Sequence, residues 1–173
     1  NRKSGRAISH NLSADLIKGK VGEVTRIVGK KGFVAYVYGL GPKGNLTPET
    51  LRISAAAVTK SCIADKIDSV TFLLPIEAKE NVMSQAASEG MVLGSYQFNE
   101  FKSKKDDLFE LRHASIVGGN KKAVERGAII GNSVCFARDL ENRPGNIATP
   151  SHLADNAIEI GNSSDVKVTV FDR

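Results

Sequence analysis

Short apolar runs alternate along the chain with longer segments in which apolar residues recur every three or four positions. The runs typical of strands lie at 24–28, 33–38, 70–74 and 108–117. The segments predicted to be helical after the first glycine-rich loop lie at 47–62, 77–93, 121–141 and 151–160. Valines alternate with other residues near the end of the chain and predict a last strand over 166–171. Because strands and helices take turns, the pattern favours an α/β fold.

Two of these helices have clear sequence signals. Thr47 is a typical N-cap residue, and Pro48 suits the first helical position because its missing N–H needs no partner there. One face of that helix is predicted to be buried because it carries Leu51, Ala55, Val58 and Cys62. The helix over 121–141 follows Asn120, a second N-cap candidate, and small residues along it would let a neighbouring backbone come close. These small residues are Ala123, Gly127, Ala128 and Gly131.

The composition is that of a globular domain. The chain has 173 residues, of which 41% are hydrophobic and 25% charged, and this excludes a largely disordered chain. Its longest apolar run, over 70–76, is far shorter than the roughly 20 residues that a membrane helix needs. Two cysteines do not make a disulfide scaffold and indicate a reducing compartment, so we expect a cytoplasmic protein without a membrane partner. The chain starts with Asn1 and stops directly after a strand-like run, which predicts a piece of a longer polypeptide.

The basic residues are concentrated in the first third of the chain. Residues 1–60 carry 11 Lys and Arg against three Asp and Glu, although the net charge of the whole chain is only +5. Such asymmetry is found in proteins that bind nucleic acid or another acidic partner, but solvated charges on an ordinary surface are the commoner explanation. The residues that would form a basic face are Arg2, Lys3, Arg6, Lys18, Lys20, Arg26, Lys30 and Lys31.

Residue chemistry alone predicts neither a catalytic nor a metal site in this chain. There is no His-Glu-x-x-His, no Cys-x-x-Cys and no Gly-x-Ser-x-Gly, and the three histidines are far apart in sequence. Cys62 and Cys135 fall inside apolar helical patterns, so we expect buried structural thiols rather than nucleophiles.

Two glycine turns stand where a strand leads into a helix. The segment 39–44 is a literal G-x-G-x-x-G, the pattern of a dinucleotide-binding loop, and Asp65 follows at a suitable distance. However, the helix begins after the motif rather than within it, and Pro42 lacks a backbone donor, so an ordinary turn is the favoured interpretation. Gly118, Gly119 and Asn120 form the second turn, which is equally unspecific alone.

The segment over 138–154 carries a more specific pattern and resembles the opening of the catalytic domain of leucyl (cytosol) aminopeptidases. That family segment runs R-D-L-x-N-x-P-x-N-x-x-T-P-x-x-L-A. The matching residues are Arg138, Asp139, Leu140, Asn142, Pro144, Asn146, Thr149, Pro150, Leu153 and Ala154. Looser likenesses to the N-terminal domain of the family occur at 22–23, 39–43 and 94–98.

The resemblance implies a fold and a division into domains. Residues 1–142 would form an N-terminal accessory domain similar to a macro domain, with a mixed sheet between helices and a linker helix over 121–141. Residues 143–173 would supply the first helix and strand of a truncated catalytic domain. The last strand would then be disordered, paired with another copy, or covered by a further chain.

The resemblance also implies an activity for the longer polypeptide. Members of the family are hydrolases that release N-terminal amino acids from peptides by means of two divalent metals, zinc, manganese or magnesium. Their metal ligands lie downstream of the segments found here, so this chain alone is expected to hold no cofactor and to be inactive. The implied partners are the missing catalytic domain and further copies in a homo-hexamer. The alternative is a macro-like module that binds DNA or an ADP-ribose-type nucleotide.

Overall fold

The structure is a computed structural model, and it describes residues 17–29, 33–78, 80–103 and 108–171. Eight elements follow one another in these ranges: β1 (Val24–Val28), β2 (Val34–Tyr38), α1 (Pro48–Ala64), β3 (Ser69–Leu73), α2 (Asn81–Ser95), β4 (His113–Val117), α3 (Lys121–Asn142) and α4 (Pro150–Asn162). The chain divides within α3 into two compact units, Asn1–Asn132 and Ser133–Arg173. The predicted domain boundary, after residue 142, falls at the end of α3 rather than within it.

In the first unit, β1 and β2 form an antiparallel hairpin. Val24 lies opposite Tyr38 and Val28 lies opposite Val34. Close to the turn, the Gly29 amide donates to the Phe33 carbonyl at 2.6 Å. The turn itself, 30–32, lies outside the described residues.

Helix α1 begins as the sequence predicts. The Thr47 side chain accepts a hydrogen bond from the Thr50 amide at 3.1 Å, and the Thr50 hydroxyl accepts one from the Thr47 amide at 3.0 Å. This reciprocal capping satisfies two backbone donors that the helix cannot pair internally. The predicted stripe is confirmed, because all four of its residues are at most 3% exposed: Leu51, Ala55, Val58 and Cys62. They form the core together with Phe72, Ala78, Ala87 and Met91.

Helices α1 and α2 pack with their backbones in close approach. A Cβ built on Gly90 would stand 2.2 Å from the Arg52 carbonyl oxygen, and one built on Gly94 would stand 2.6 Å from the Ala56 carbonyl oxygen. Only glycine fits at such distances, because a real Cβ essentially never comes within 3.0 Å of another heavy atom. The two glycines therefore fix how α1 and α2 meet.

Helix α3 also packs closely against α2 at glycine positions. A Cβ on Gly127 would stand 2.4 Å from the Gln85 carbonyl oxygen, and one on Gly131 would stand 2.8 Å from the Val92 Cβ. Ala123 is buried on the same side of the helix. The prediction that small residues let a neighbouring backbone approach this helix is thus confirmed.

The α/β class is confirmed, and the strands include both orientations. β3 pairs with β4 in parallel, with Ser69 opposite His113 and Leu73 opposite Val117, whereas β1 and β2 are antiparallel. In the described part of the chain the strands make two separate two-stranded ladders rather than one continuous sheet. Leu73 is 61% exposed, so β3 is not covered on both faces.

In the second unit, α4 begins at Pro150 and runs to Asn162. None of its residues is buried. The prediction of a last strand over 166–171 is wrong, because the described residues there adopt no strand. Val168 of this segment packs against Gly161 at the end of α4. Alternation of apolar residues indicates which faces a strand would have, but a strand also needs a neighbour for its hydrogen bonds, and none of the described strands pairs with this segment. Within the described ranges, no helix is long and apolar enough to cross a membrane.

Candidate functional site

The glycine loop over 39–44 is an ordinary turn whose backbone donors are in use. The Gly39 amide donates to the Glu23 carbonyl and the Gly41 amide to the Gly19 carbonyl, both at 2.8 Å. The Gly39 carbonyl in turn accepts from the buried Ser54 hydroxyl at 2.7 Å. Two of the three motif glycines therefore donate their N–H groups to the protein, and these two donors are not free to bind a pyrophosphate.

Asp65, the acidic residue suggested by that motif, lies at the end of α1 and has other partners. Its carboxylate accepts a hydrogen bond from the Tyr36 hydroxyl at 2.5 Å and lies 3.0 Å from the Arg26 Nε. Burial, followed by the hydrogen bond to Asp65, raises the pKa of Tyr36 well above its ordinary value. The cluster therefore ties β1 and β2 to the end of α1, which is a structural role.

The turn over 118–120 is also filled by protein atoms. The Asn120 side chain accepts from the Ala123 amide at 3.1 Å, so Asn120 caps α3 as predicted. Its own amide donates to the Ser84 hydroxyl at 3.0 Å. A Cβ on Gly119 would meet the side chains of Leu74, Ile116 and Ser84 within 3.2 Å, which leaves little room for a ligand at that glycine.

The predicted basic face is only partly within the described residues. Lys18 and Lys20 are exposed before β1, and Arg26 is held by Asp65. The other predicted members lie outside the described residues: Arg2, Lys3, Arg6, Lys30 and Lys31.

One charged cluster was not predicted from the sequence. The carboxylate of Glu89 on α2 is only 8% exposed and lies 2.7–2.8 Å from the guanidinium nitrogens of Arg52 on α1. Gln85 donates to the same carboxylate at 2.7 Å, and Glu49 pairs with Arg52 from the other side. The spacing of Glu49 and Arg52 on one helix is a sequence signal, whereas the partner on α2 has none.

The two thiols differ in burial. Cys62 is fully buried, so the prediction of a buried thiol is confirmed there, and burial raises its pKa to about 11. Cys135 is only half-buried, which is less than predicted, although burial still raises its pKa.

The junction segment is organised around the start of α4. The Thr149 hydroxyl accepts from the His152 amide at 3.2 Å and caps the helix, and Pro150 occupies its first turn. The His152 Nε2 lies 2.8 Å from an Arg143 guanidinium nitrogen and 3.2 Å from the Asn156 amide nitrogen. These contacts are local, so the segment orients the chain between two helices.

The remaining junction residues lie on either side of that cap. The Pro144 carbonyl accepts from the Ile147 and Ala148 amides at 2.8 and 2.9 Å, which closes a turn before α4. The last turn of α3 carries Arg138, Asp139, Leu140 and Asn142, the loop carries Pro144 and Asn146, and α4 carries Leu153 and Ala154.

The described residues contain no group of three or more His, Cys, Asp or Glu side chains that could hold a metal ion. The part of the chain that the structure describes therefore does not fit a two-metal centre. His113 lies on β4 and His152 lies on α4, so neither has such a cluster around it.

Relatives of known family resemble nearly the whole chain. A probable cytosol aminopeptidase of Bdellovibrio bacteriovorus is 36% identical over 181 residues, which is 97% of this chain and 36% of the relative. One from Aquifex aeolicus is 31% identical over 159 residues, which is 90% of this chain and 32% of the relative. The chain thus spans about a third of the length of these curated relatives.

Solved structures agree with the sequence relatives. The bottromycin maturation enzyme BotP in complex with Mn is 26% identical, with a TM-score of 0.73 over 90% of this chain and 34% of that protein. A tomato leucine aminopeptidase mutant is 25% identical, with a TM-score of 0.67 over 86% of this chain and 31% of that protein. The family model for the N-terminal domain of the cytosol aminopeptidase family matches residues 1–105. The chain therefore belongs to the cytosol aminopeptidase family, of which it carries the N-terminal domain.

Proposed function

We propose that this chain is the non-catalytic part of a longer polypeptide, called the parent below, which is an aminopeptidase. Residues 1–142 would be its accessory domain with the linker helix, and residues 143–173 would open its catalytic domain. The observation that carries the proposal is the match of residues 1–105 to the N-terminal domain of the family, together with the third of each relative that the chain spans.

The exposed apolar residues of α4 support this division. Leu153, Ile158 and Ile160 are each more than 40% exposed, and the helix has no buried residue. A strongly apolar surface of this kind is costly in water unless another part of the protein covers it. A catalytic domain that continues after residue 173 would provide the cover.

The parent would remove N-terminal amino acids from peptides with two divalent ions, zinc, manganese or magnesium. When bound, such ions supply a water of lowered pKa as the nucleophile. This chain's described residues offer no ion cluster, so both ions would be held by the rest of the parent. Manganese is supported by the BotP structure, which contains that metal.

The test compares two purified proteins, this chain and the parent, after intact mass has confirmed each. Both are assayed with leucine-p-nitroanilide and, in separate reactions, added Zn²⁺, Mn²⁺ or Mg²⁺. We expect turnover by the parent, loss of that turnover with a chelator, and none by the chain alone. A parent that stays inactive with all three metals would overturn the proposed activity. Turnover by the chain alone would overturn its non-catalytic role.

The family resemblance further supports a cytoplasmic homo-hexamer. Light scattering of the parent should give six times the mass of one copy, and a monomer would contradict this assembly. The comparisons do not favour the alternative module for DNA or an ADP-ribose-type nucleotide, and the glycine loops described above use their donors within the protein.

A further inference from the structure

An apolar groove of about 510 Å³ lies between the two sheets of the first unit. One wall is the whole of β2 and the other is the whole of β3. Val58 and Cys62 of α1, together with Ile67, also line the groove. It is therefore bounded by two strands and by a helix that contributes to the core.

Each wall has a backbone edge that faces the groove. The hydrogen bonds at the two ends of the hairpin show which residues of β2 pair with β1. The Gly39 amide, just after β2, donates to the Glu23 carbonyl, and the Gly29 amide, just after β1, donates to the Phe33 carbonyl. Because alternate residues of an antiparallel strand point to opposite sides, the other residues of β2 direct their amides and carbonyls into the groove. These residues are Val34, Tyr36 and Tyr38.

The same reasoning applies to β3. The Leu74 amide donates to the Val117 carbonyl on β4 at 3.0 Å, so residues of even number face β4. The residues of odd number direct their backbone groups into the groove, and these are Ser69, Thr71 and Leu73. The Leu73 carbonyl agrees with this, because it accepts a hydrogen bond from Tyr38 across the groove.

One side-chain contact crosses the groove, and no backbone pairing does so among the described strands. The Tyr38 side chain reaches from β2 to the backbone of β3, and its ring stacks on Phe72 with centroids 4.5 Å apart. Among the described strands, β2 pairs only with β1 and β3 pairs only with β4, so no backbone ladder joins the two walls of the groove. Both partners of this contact lie at the ends of their strands, which leaves the rest of the groove open.

We propose that the groove between β2 and β3 binds a β-strand of the parent that lies outside these 173 residues. The strand would pair with both edges, and its apolar side chains would contact Tyr36 and Val70, which line the groove and are partly exposed. It would join the two ladders into one five-stranded mixed sheet, in the order β1, β2, added strand, β3, β4. Burial of apolar side chains and new backbone hydrogen bonds would both stabilise the added strand.

A strand of the same polypeptide fits this groove better than a second copy does. Strands exchanged between copies usually extend one free edge, whereas this groove has an edge on each side. The chain also spans only about a third of its relatives, so the parent has ample sequence to supply the strand. In this respect the inference rests on the proposed function, although it does not depend on catalytic activity.

Residue-resolved hydrogen exchange of this chain and of the parent tests the inference. The groove-facing amides are those of Val34, Tyr36, Tyr38, Ser69, Thr71 and Leu73, and the internal controls are the ladder-facing amides of Ala35, Val37, Val70 and Phe72. In the chain alone, we expect the groove-facing set to exchange about 100-fold faster than the controls. In the parent, both sets should be protected alike.

Three outcomes of the exchange experiment overturn the inference. Fast exchange of the groove-facing set in the parent means that no strand enters the groove. Protection in the chain alone while it is monomeric means that the occupant lies within the 173 residues. Protection that appears only as the chain dimerises makes a second copy the occupant. An inactive parent with a protected groove would contradict the proposed activity and leave this inference standing.

A peptide scan gives an independent measurement. Overlapping 12-residue peptides that cover the rest of the parent are added to the chain one at a time. One apolar segment should slow exchange of the groove-facing amides while the ladder-facing amides change little. If no peptide slows that exchange at millimolar concentration, no linear segment of the parent is the occupant.

Discussion

The buried thiol of Cys62 makes stability depend on alkaline pH. Burial, followed by the charge of Asp65, raises its pKa to about 11 from the ordinary 9.0. Below pH 9 the thiol is protonated in both states and its contribution to stability is fully present. As the pH rises from 9 to 11, the unfolded thiol ionises first, so that contribution is lost.

We therefore expect the free energy of unfolding to fall between pH 9 and 11, and to fall less steeply in Cys62→Ala. Urea unfolding of both proteins across this range measures the two slopes. Burial also raises the pKa of Tyr38, to about 12, and this residual dependence should persist in the variant. Parallel curves for the two proteins would show that Cys62 does not cause the decline.

The carboxylate of Glu89 is held by Arg52 and Gln85 in a contact that is largely closed to water. Glu89→Gln should lower the free energy of unfolding by about 2 kcal/mol, because it leaves the Arg52 charge short of its best partner. The matched control is Glu125→Gln, which removes the exposed pair with Lys121 at 3.8 Å. Urea unfolding should show a change below about 0.5 kcal/mol for the control. Equal effects of the two changes would contradict the structural role of Glu89.

At the scale of elements, the contact between α2 and α3 depends on Gly127. In an open helix a change from glycine to alanine stabilises by about 1 kcal/mol, but here the added Cβ would stand 2.4 Å from the Gln85 carbonyl oxygen. We expect Gly127→Ala to lower the free energy of unfolding by about 2 kcal/mol, since the helices must separate.

The control for that contact is Asn132→Ala, at an exposed position of the same helix. It should leave stability unchanged or slightly higher, because alanine favours the helix. Urea unfolding measures both variants. A Gly127→Ala protein as stable as the unsubstituted chain would mean that α2 and α3 do not meet as closely as described.

Elements with local signals could be predicted from the sequence, and elements that depend on distant partners could not. Thr47 and Asn120 each cap a helix as hydrogen-bond acceptors, as their residue type predicts. Thr149 also caps a helix, although this was not predicted from the sequence. The prediction of a strand over 166–171 was wrong because alternating apolar residues do not indicate whether a neighbouring strand is there to pair with. The division of the strands into two ladders could not be predicted either, because the sequence of a strand does not show which strand it pairs with.

At the scale of the whole molecule, the family could be predicted because the junction residues are specific in type and spacing. The contact between Arg52 and Glu89 could not, since these residues are 37 positions apart and nothing local links them. The glycine motif over 39–44 shows that a local sequence match can also mislead. Its letters fit a phosphate loop, but tertiary contacts to Gly19 and Glu23 use the donors that such a loop needs.

The division of the chain into domains predicts how truncation affects folding. Residues 143–173 include α4, which has no buried residue, so a protein that ends at Asn142 should lose little of the core. Its melting temperature should stay within about 3 °C of that of the full chain. A protein that ends at Gly119 also lacks α3, and with it the contacts of Ala123, Gly127 and Gly131.

That second truncation should melt more than about 10 °C lower, because losing two or three close helix contacts costs several kcal/mol in a domain of this size. Circular dichroism of the three proteins gives the comparison. If ending the chain at Asn142 costs as much as ending it at Gly119, then residues 143–173 stabilise the core and the boundary proposed at residue 142 is wrong. If it costs little, the result supports the boundary proposed at residue 142.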